Sequence, residues 1–177
     1  MFIMKKIFTM LLLALPLFAI SLELKSGYVA AHTEMLMDKT IDPINNHLKA
    51  DITIENSDIS TIKGKFWVEM TLFTSDKSER DEHMYKEVEA DTFKLATYTI
   101  ANVTKTEGEN SYIINGTLDF HGEKKELSAK AKITSTEGSL NIDAASMILM
   151  SDFGIEMPCM VFMCVRDQVD LLVKATF

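Results

Sequence analysis

Apolar and polar residues alternate along most of the chain. Between residues 59 and 74, Phe66, Val68, Met70 and Leu72 share one parity, while Lys65, Glu69 and Thr71 share the other with Trp67 and Phe73. The apolar set of 92–104 is Phe93, Leu95 and Val103, and that of 111–120 is Tyr112, Ile114, Leu118 and Phe120. Leu127, Ala129, Ala131 and Ile133 alternate with Lys130, Lys132 and Thr134. Leu140, Ile142, Ala144 and Ile148 follow in 139–150, and Val169, Leu171 and Val173 in 165–177. A side-chain period of two marks a strand with one buried face. With 22–31 and 46–56, the pattern predicts eight strands. Asn56-Ser57-Asp58, Glu107-Gly108-Glu109-Asn110, His121-Gly122-Glu123 and Glu137-Gly138 separate them with turn chemistry. Strands joined by such short turns pair antiparallel, and eight of them curl into a barrel. A bend near Gly64 is expected in the long 59–74 run.

Two segments break the alternation. Residues 78–89 are rich in helix formers and predict one short helix, with Ser78 as its cap and Asp81 in the capping-box position. Residues 33–45 carry Pro43 and Asn45 and read as an irregular loop over one barrel end.

The inward set mixes bulky residues with Gly116, Ala129, Ala131, Ala144 and Ser146. Small side chains at inward positions widen a barrel. An apolar interior with room to spare is a void, or holds poorly satisfied water. A long hydrocarbon fills it, with about 0.8 kcal/mol gained per buried methylene. The same pattern also fits a barrel packed solid with its own side chains. Alternation alone leaves both open.

The first residues carry Lys5 and Lys6, an apolar run from Ile7 to Ile20, and the small residues Ala19 and Ser21. That is the layout of a secretory signal peptide cleaved after Ser21. Residues 22–177 then form one domain, exported to the periplasm. The apolar run falls short of the roughly 17–25 residues of a membrane helix, so no stable membrane anchor is expected. The net charge is −8 and becomes more negative once Lys5 and Lys6 are removed. Such a surface repels phosphate backbones, so nucleic acid is not a partner. The four histidines, His32, His47, His83 and His121, have no metal-binding spacing. Neither a nucleophile elbow nor a glycine-rich phosphate loop occurs. The chain therefore reads as a binding protein without catalytic residues and with no required cofactor.

Two cysteines occur, Cys159 and Cys164. Along an extended strand they point to opposite faces about 16 Å apart, and on a helix they fall on different faces. The intervening Met160, Val161, Phe162 and Met163 include no turn residue. Their spacing therefore resists pairing. Met157, Cys159, Met160, Met163 and Cys164 make up a soft sulfur set suited to Cu(I), which is the alternative function: a copper or redox-responsive protein. Plain packing competes with it, because Met and buried Cys fill apolar gaps.

Three motifs in order resemble the YceI-like family: Arg80-Asp81-Glu82-His83-Met84, then Asn115-Gly116-Thr117-Leu118-Asp119-Phe120-His121-Gly122, then Ser151-Asp152-Phe153-Gly154-Ile155 followed by Val165-Arg166-Asp167-Gln168-Val169-Asp170. Gly27–Asn46 and Met157–Cys164 depart from the family pattern. The resemblance implies an all-β, eight-stranded antiparallel lipocalin-like barrel with one short helix beside it. It also implies a bound isoprenoid or other long-chain lipid inside. The expected pocket wall is Phe66, Val68, Met70, Leu72, Phe93, Leu95, Tyr112, Ile114, Leu118, Phe120 and Phe153. Arg80, Asp81 and His83 are expected at the pocket mouth or as the helix anchor. Asp152 is expected to pair with Arg166-Asp167 across a hairpin. The partner is an apolar small-molecule lipid, and a homodimer is open to this reading.

Overall fold

The structure, a computed structural model, describes residues 19–35, 39–160 and 163–177. Most of the expected signal peptide lies outside the described residues. The strands are β1 (Ala19–Leu22), β2 (Ser26–Met35), β3 (Lys39–Ile41), β4 (Ile44–Asn45), β5 (Lys49–Glu55), β6 (Asp58–Glu69), β7 (Leu95–Lys105), β8 (Ser111–Phe120), β9 (Glu123–Thr136), β10 (Ser139–Leu149), β11 (Cys159–Met160), β12 (Met163–Cys164) and β13 (Gln168–Thr176). The eight expected strands are the long ones: β2, β5 to β10, and β13. The short β1, β3 and β4 are additional. β3 and β4 lie in the segment expected to be a loop, where the chain instead folds back to pair with β2.

All pairings in the main sheet are antiparallel, in the order β1-β5-β6-β7-β8-β9-β10-β13-β2-β3, with β4 also on β2. This hydrogen-bonded path does not close on itself. The seam lies between β2 with β4 on one side and β5 with β6 on the other. Ile44 and Thr74 exchange both backbone bonds across it, at 2.8 and 3.0 Å. Asn45, fully buried, donates from Nδ2 to the Glu69 carbonyl at 2.8 Å and accepts from the His47 N–H at 2.8 Å. A buried amide that meets both its partners holds that contact in one geometry.

β8 shows the alternation most cleanly: Tyr112, Ile114, Gly116, Leu118 and Phe120 are buried and the residues between them are less so. In β7 the register slips by one residue between Ile100 and Asn102. A bulge of this kind moves side chains to the opposite face. Val103 points inward after it, but before it the inward set is Ala96, Tyr98 and Ile100. Leu95, expected in the wall, is consequently outside and 48% exposed. The bend at Gly64 is present: its φ is +124°, in mid-strand, opposite Ile52 and Ile100.

The helix α1 (Ser78–Glu87) follows β6 and a short 3₁₀ turn at Met70–Leu72. Its N-cap is Lys77, without a side-chain cap, so Ser78 does not serve as expected. Asp81 is buried and turns back to the preceding loop. It accepts from the Ser75 N–H at 2.9 Å and the Ser75 hydroxyl at 2.6 Å. One turn on, the Tyr85 hydroxyl donates to the Phe73 carbonyl at 2.5 Å. These three bonds dock the helix beside the end of β6.

Candidate functional site

The interior is half solid and half hollow. Ile52, Ile62, Ile100, Val103, Tyr112, Ile133, Leu140, Ala175 and Phe177 fill one end with buried side chains. The other end encloses a cavity of about 610 Å³, within the range of roughly 300–1,000 Å³ typical of small-molecule sites. The boundary falls at one level on strand after strand. On β7, Tyr98 lines the cavity and Ile100 does not; on β8, Ile114 does and Tyr112 does not. On β9 the change comes between Ala129 and Ala131, on β10 between Ile142 and Leu140, and on β13 between Val173 and Ala175. The small side chains of Ala31, Ala96, Ala129 and Ala144 sit on the hollow side and leave the space.

The wall is almost entirely apolar. Below the rim its hydroxyl groups are those of Thr33, Tyr98 and Ser146, and all three are engaged. Thr33 donates to the Gln168 carbonyl at 2.8 Å, and Ser146 to the Ser128 carbonyl at 2.9 Å. The Tyr98 ring lies across Gly116, where a Cβ would sit 2.6 Å from its Cζ. Its hydroxyl reaches the carbonyls of Ile114 at 3.1 Å and Leu127 at 2.9 Å. Burial pushes the phenol up to about 12, so it stays a neutral donor across the physiological range.

Of the expected wall, Phe66, Val68, Met70, Ile114, Leu118 and Phe120 line the cavity. Leu72, Phe93, Leu95, Tyr112 and Phe153 do not. Leu72 sits in the 3₁₀ turn after β6, and Tyr112 belongs to the solid end. Phe93 and Phe153 build a separate aromatic cluster. Phe93 lies on the His121 ring at 4.4 Å between centroids, and Phe120 meets Phe153 at 5.3 Å. His121 Nδ1–H donates to the Phe153 carbonyl at 2.8 Å. Tyr98 and the β2 residues Val29, Ala31 and Met35 were not singled out by the sequence, yet they line the cavity. Parity of Ala96, Tyr98 and Ile100 would have found Tyr98 had the β7 bulge been placed.

The open end lies beside α1. Lys77, Glu79, Arg80, His83 and Glu87 rim it, with Met84 and Val88 turned toward the apolar wall. Arg80 is held by Asp76 at 2.8 Å. Thus Arg80 and His83 are at the mouth, while Asp81 is a buried anchor of the helix and does not line the cavity.

Opposite α1, Met157, Pro158 and Val165 border the same opening. They flank a hairpin, β11 with β12, in which Cys159 pairs with Cys164 and Met160 with Met163. The two cysteines form a disulfide, contrary to the expectation from spacing. The pairing of β11 with β12 brings i and i+5 face to face, although the sequence between the two cysteines holds no turn former. The turn and the side chains of Met160 and Met163 lie outside what the structure describes. Both sulfurs are consumed in the bond, so Cys159 and Cys164 are not thiolate ligands in this form. The expected pairing of Asp152 is also absent. Asp167 accepts instead from the Ser151 N–H at 2.8 Å and hydroxyl at 2.6 Å, and Arg166 reaches Glu34 at 3.5 Å.

The Ser151 bonds hold the Asp167 carboxyl below the usual carboxylate range. A carboxylate depressed on folding contributes stability above its unfolded pKa and loses it as pH falls through the folded value. We therefore expect Asp167→Asn to lower Tm at neutral pH and to lose less stability than the wild type on acidification below about pH 4. Parallel Tm-against-pH curves for the two proteins would show that the bonds carry no such linkage.

An antiparallel barrel with one solid end, one hollow end and an apolar chamber open beside a helix is the framework of a small-ligand-binding barrel. Within that class the chain belongs to the YceI-like domain family, whose model matches residues 24–177. No curated protein matches it significantly. Among solved structures it is similar to Burkholderia cenocepacia BcnA, at 14% identity and a TM-score of 0.75, over 85% of this chain and 96% of that one. A polyisoprenoid binding domain from Saccharophagus degradans implicated in plant cell wall breakdown matches at 11% identity and TM-score 0.66, over 91% and 98%. The Campylobacter jejuni YceI protein matches at 17% and 0.63, over 75% and 81%.

Proposed function

We propose that this protein is an exported, non-catalytic carrier that holds a polyisoprenoid or other long-chain lipid in the hollow half of the barrel. The observation that carries the reading is the chamber of about 610 Å³, walled by aliphatic and aromatic side chains and with its hydroxyl groups already hydrogen-bonded. Water there would find few partners, whereas each buried methylene contributes about 0.8 kcal/mol before ordering costs. The polyisoprenoid-binding relative supports the same class of ligand. The disulfide at the mouth agrees with an oxidising compartment, and the signal-like first residues supply a route to it. Cleavage after Ser21 would leave only Leu22 of β1 on the edge of β5.

The test is direct. Protein exported from its native host is purified without detergent and extracted with organic solvent, and the extract is analysed by mass spectrometry. A stoichiometric long-chain lipid is expected. Protein that yields no lipid, and that takes up none when presented with polyprenol, would refute the reading.

A further inference from the structure

The cavity opens beside α1. Away from that mouth, its lining gives way to the packed end at the level of Phe66, Tyr98, Ile114 and Ile142. Each of these is backed by the solid half. Ile142 pairs across the sheet with Ile133, which is 0% exposed. Ile114 pairs with the buried Val103. The Phe66 ring meets that of Phe177 at 6.3 Å. Tyr98 is tied to two strands through its hydroxyl. Ile114 and Ile142 touch the chamber yet are only 3% and 1% exposed, so they meet it with their tips.

We propose that these four residues are a floor that sets the length of chain the protein accepts. This rests on the proposed function and deepens it, because it says what the chamber selects. A chamber closed at one end admits a chain tail first. The polar end of the ligand is then left at the mouth, among Lys77, Arg80 and His83. From Ile114 to Phe120 the wall runs roughly 20 Å along β8. A longer tail must fold back within the chamber or project from it, and either loses burial. Interiors packed to crystal-like density do not yield continuously, so the limit is a sharp one.

The experiment loads purified full-length protein with an equimolar ladder of straight-chain primary alcohols from decanol to tetracosanol. After gel filtration, the retained alcohols are measured by mass spectrometry. Wild-type protein is expected to retain a band of lengths with an upper cutoff. Ile142→Ala removes the tip facing the chamber and should move the cutoff several carbons longer. Ala144→Leu adds bulk one inward position nearer the mouth and should move it shorter. Leu140→Ala lies behind the floor and should lower stability without moving the cutoff. If Ile142→Ala does not fold, Ile142→Val makes the same test with a smaller shift. A wild type that retains alcohols with a cutoff unmoved in both directions overturns the floor and leaves the carrier reading intact. A wild type that retains none overturns the floor, and extraction and polyprenol uptake then decide the carrier reading separately.

Discussion

Leu118→Glu retains at most a tenth of the lipid that the wild type holds, while Lys130→Glu retains as much as the wild type. The two sites lie on neighbouring strands and on opposite sides of the sheet. Leu118 is 7% exposed and faces the chamber from β8. Lys130 stands on the outer face of β9, exposed. A carboxylate at 118 would face aliphatic side chains and the hydrocarbon of the ligand. It must either stay charged without water or take up a proton, and both cost several kcal/mol. A penalty of 1.4 kcal/mol already weakens binding tenfold. The cost is shared between the empty and filled states: with the chamber empty, water can enter and solvate the carboxylate, and with lipid bound it cannot. That difference makes the effect appear as lost binding as well as lost stability. Circular dichroism and gel filtration establish that both variants fold, and lipid extraction then reads the outcome. Equal retention in two folded variants would mean that the ligand, if any, lies elsewhere.

The alternation of polar and apolar residues was enough to place the eight long strands and their antiparallel turns, because a half-buried strand imposes a period of two on its own sequence. It also pointed to six residues that line the cavity, on β6, on the turn directly after it and on β8, where no bulge lies between them. It failed where a local event shifts phase. The slip at Ile100/Asn102 turned Leu95 outward and brought Tyr98 in, and a bulge leaves little mark in composition. It failed again at Cys159 and Cys164, whose spacing argued against pairing because only a tight loop would join them and the four residues between include no turn former. Asn45 falls in the segment expected to be an irregular loop. Its role in the seam depends on Glu69, which is distant in sequence, so no local pattern reveals it. Whether the interior is packed or hollow was open in the sequence because both ends of the barrel use the same residue types. Ala129 lines the chamber and Ala131 the solid end, two residues apart on one face. What separates them is which side chains arrive from across the barrel, and that is a property of the folded sheet as a whole.

The largest effect on stability is expected at Gly64, and comparison with Gly138 separates its causes. Both have positive φ, +124° at Gly64 and +81° at Gly138. A Cβ at Gly138, in the turn between β9 and β10, meets nothing within 4 Å. Gly138→Ala therefore adds backbone strain alone, on the order of 1–2 kcal/mol. A Cβ at Gly64 would lie 1.9 Å from the Asp51 carbonyl oxygen. No side-chain rotation relieves that contact, since both partners are backbone or rigidly attached to it. Relief requires β6 to draw away from β5, and Gly64 is paired on its other side with Ile100 of β7. Ile52, opposite Gly64, is fully buried, so the displacement opens the solid end of the barrel. We expect Gly64→Ala to cost about 4 kcal/mol or more, the range of the most damaging single substitutions, and Gly138→Ala to cost less than half as much. Urea unfolding of the two variants beside the wild type gives both numbers. Equal losses would show that φ alone sets the cost and that β5 and β6 separate freely at this point. The fold argues otherwise, because the bend at Gly64 is where β6 turns from the packed end toward the wall of the chamber, and both halves of the interior depend on its course.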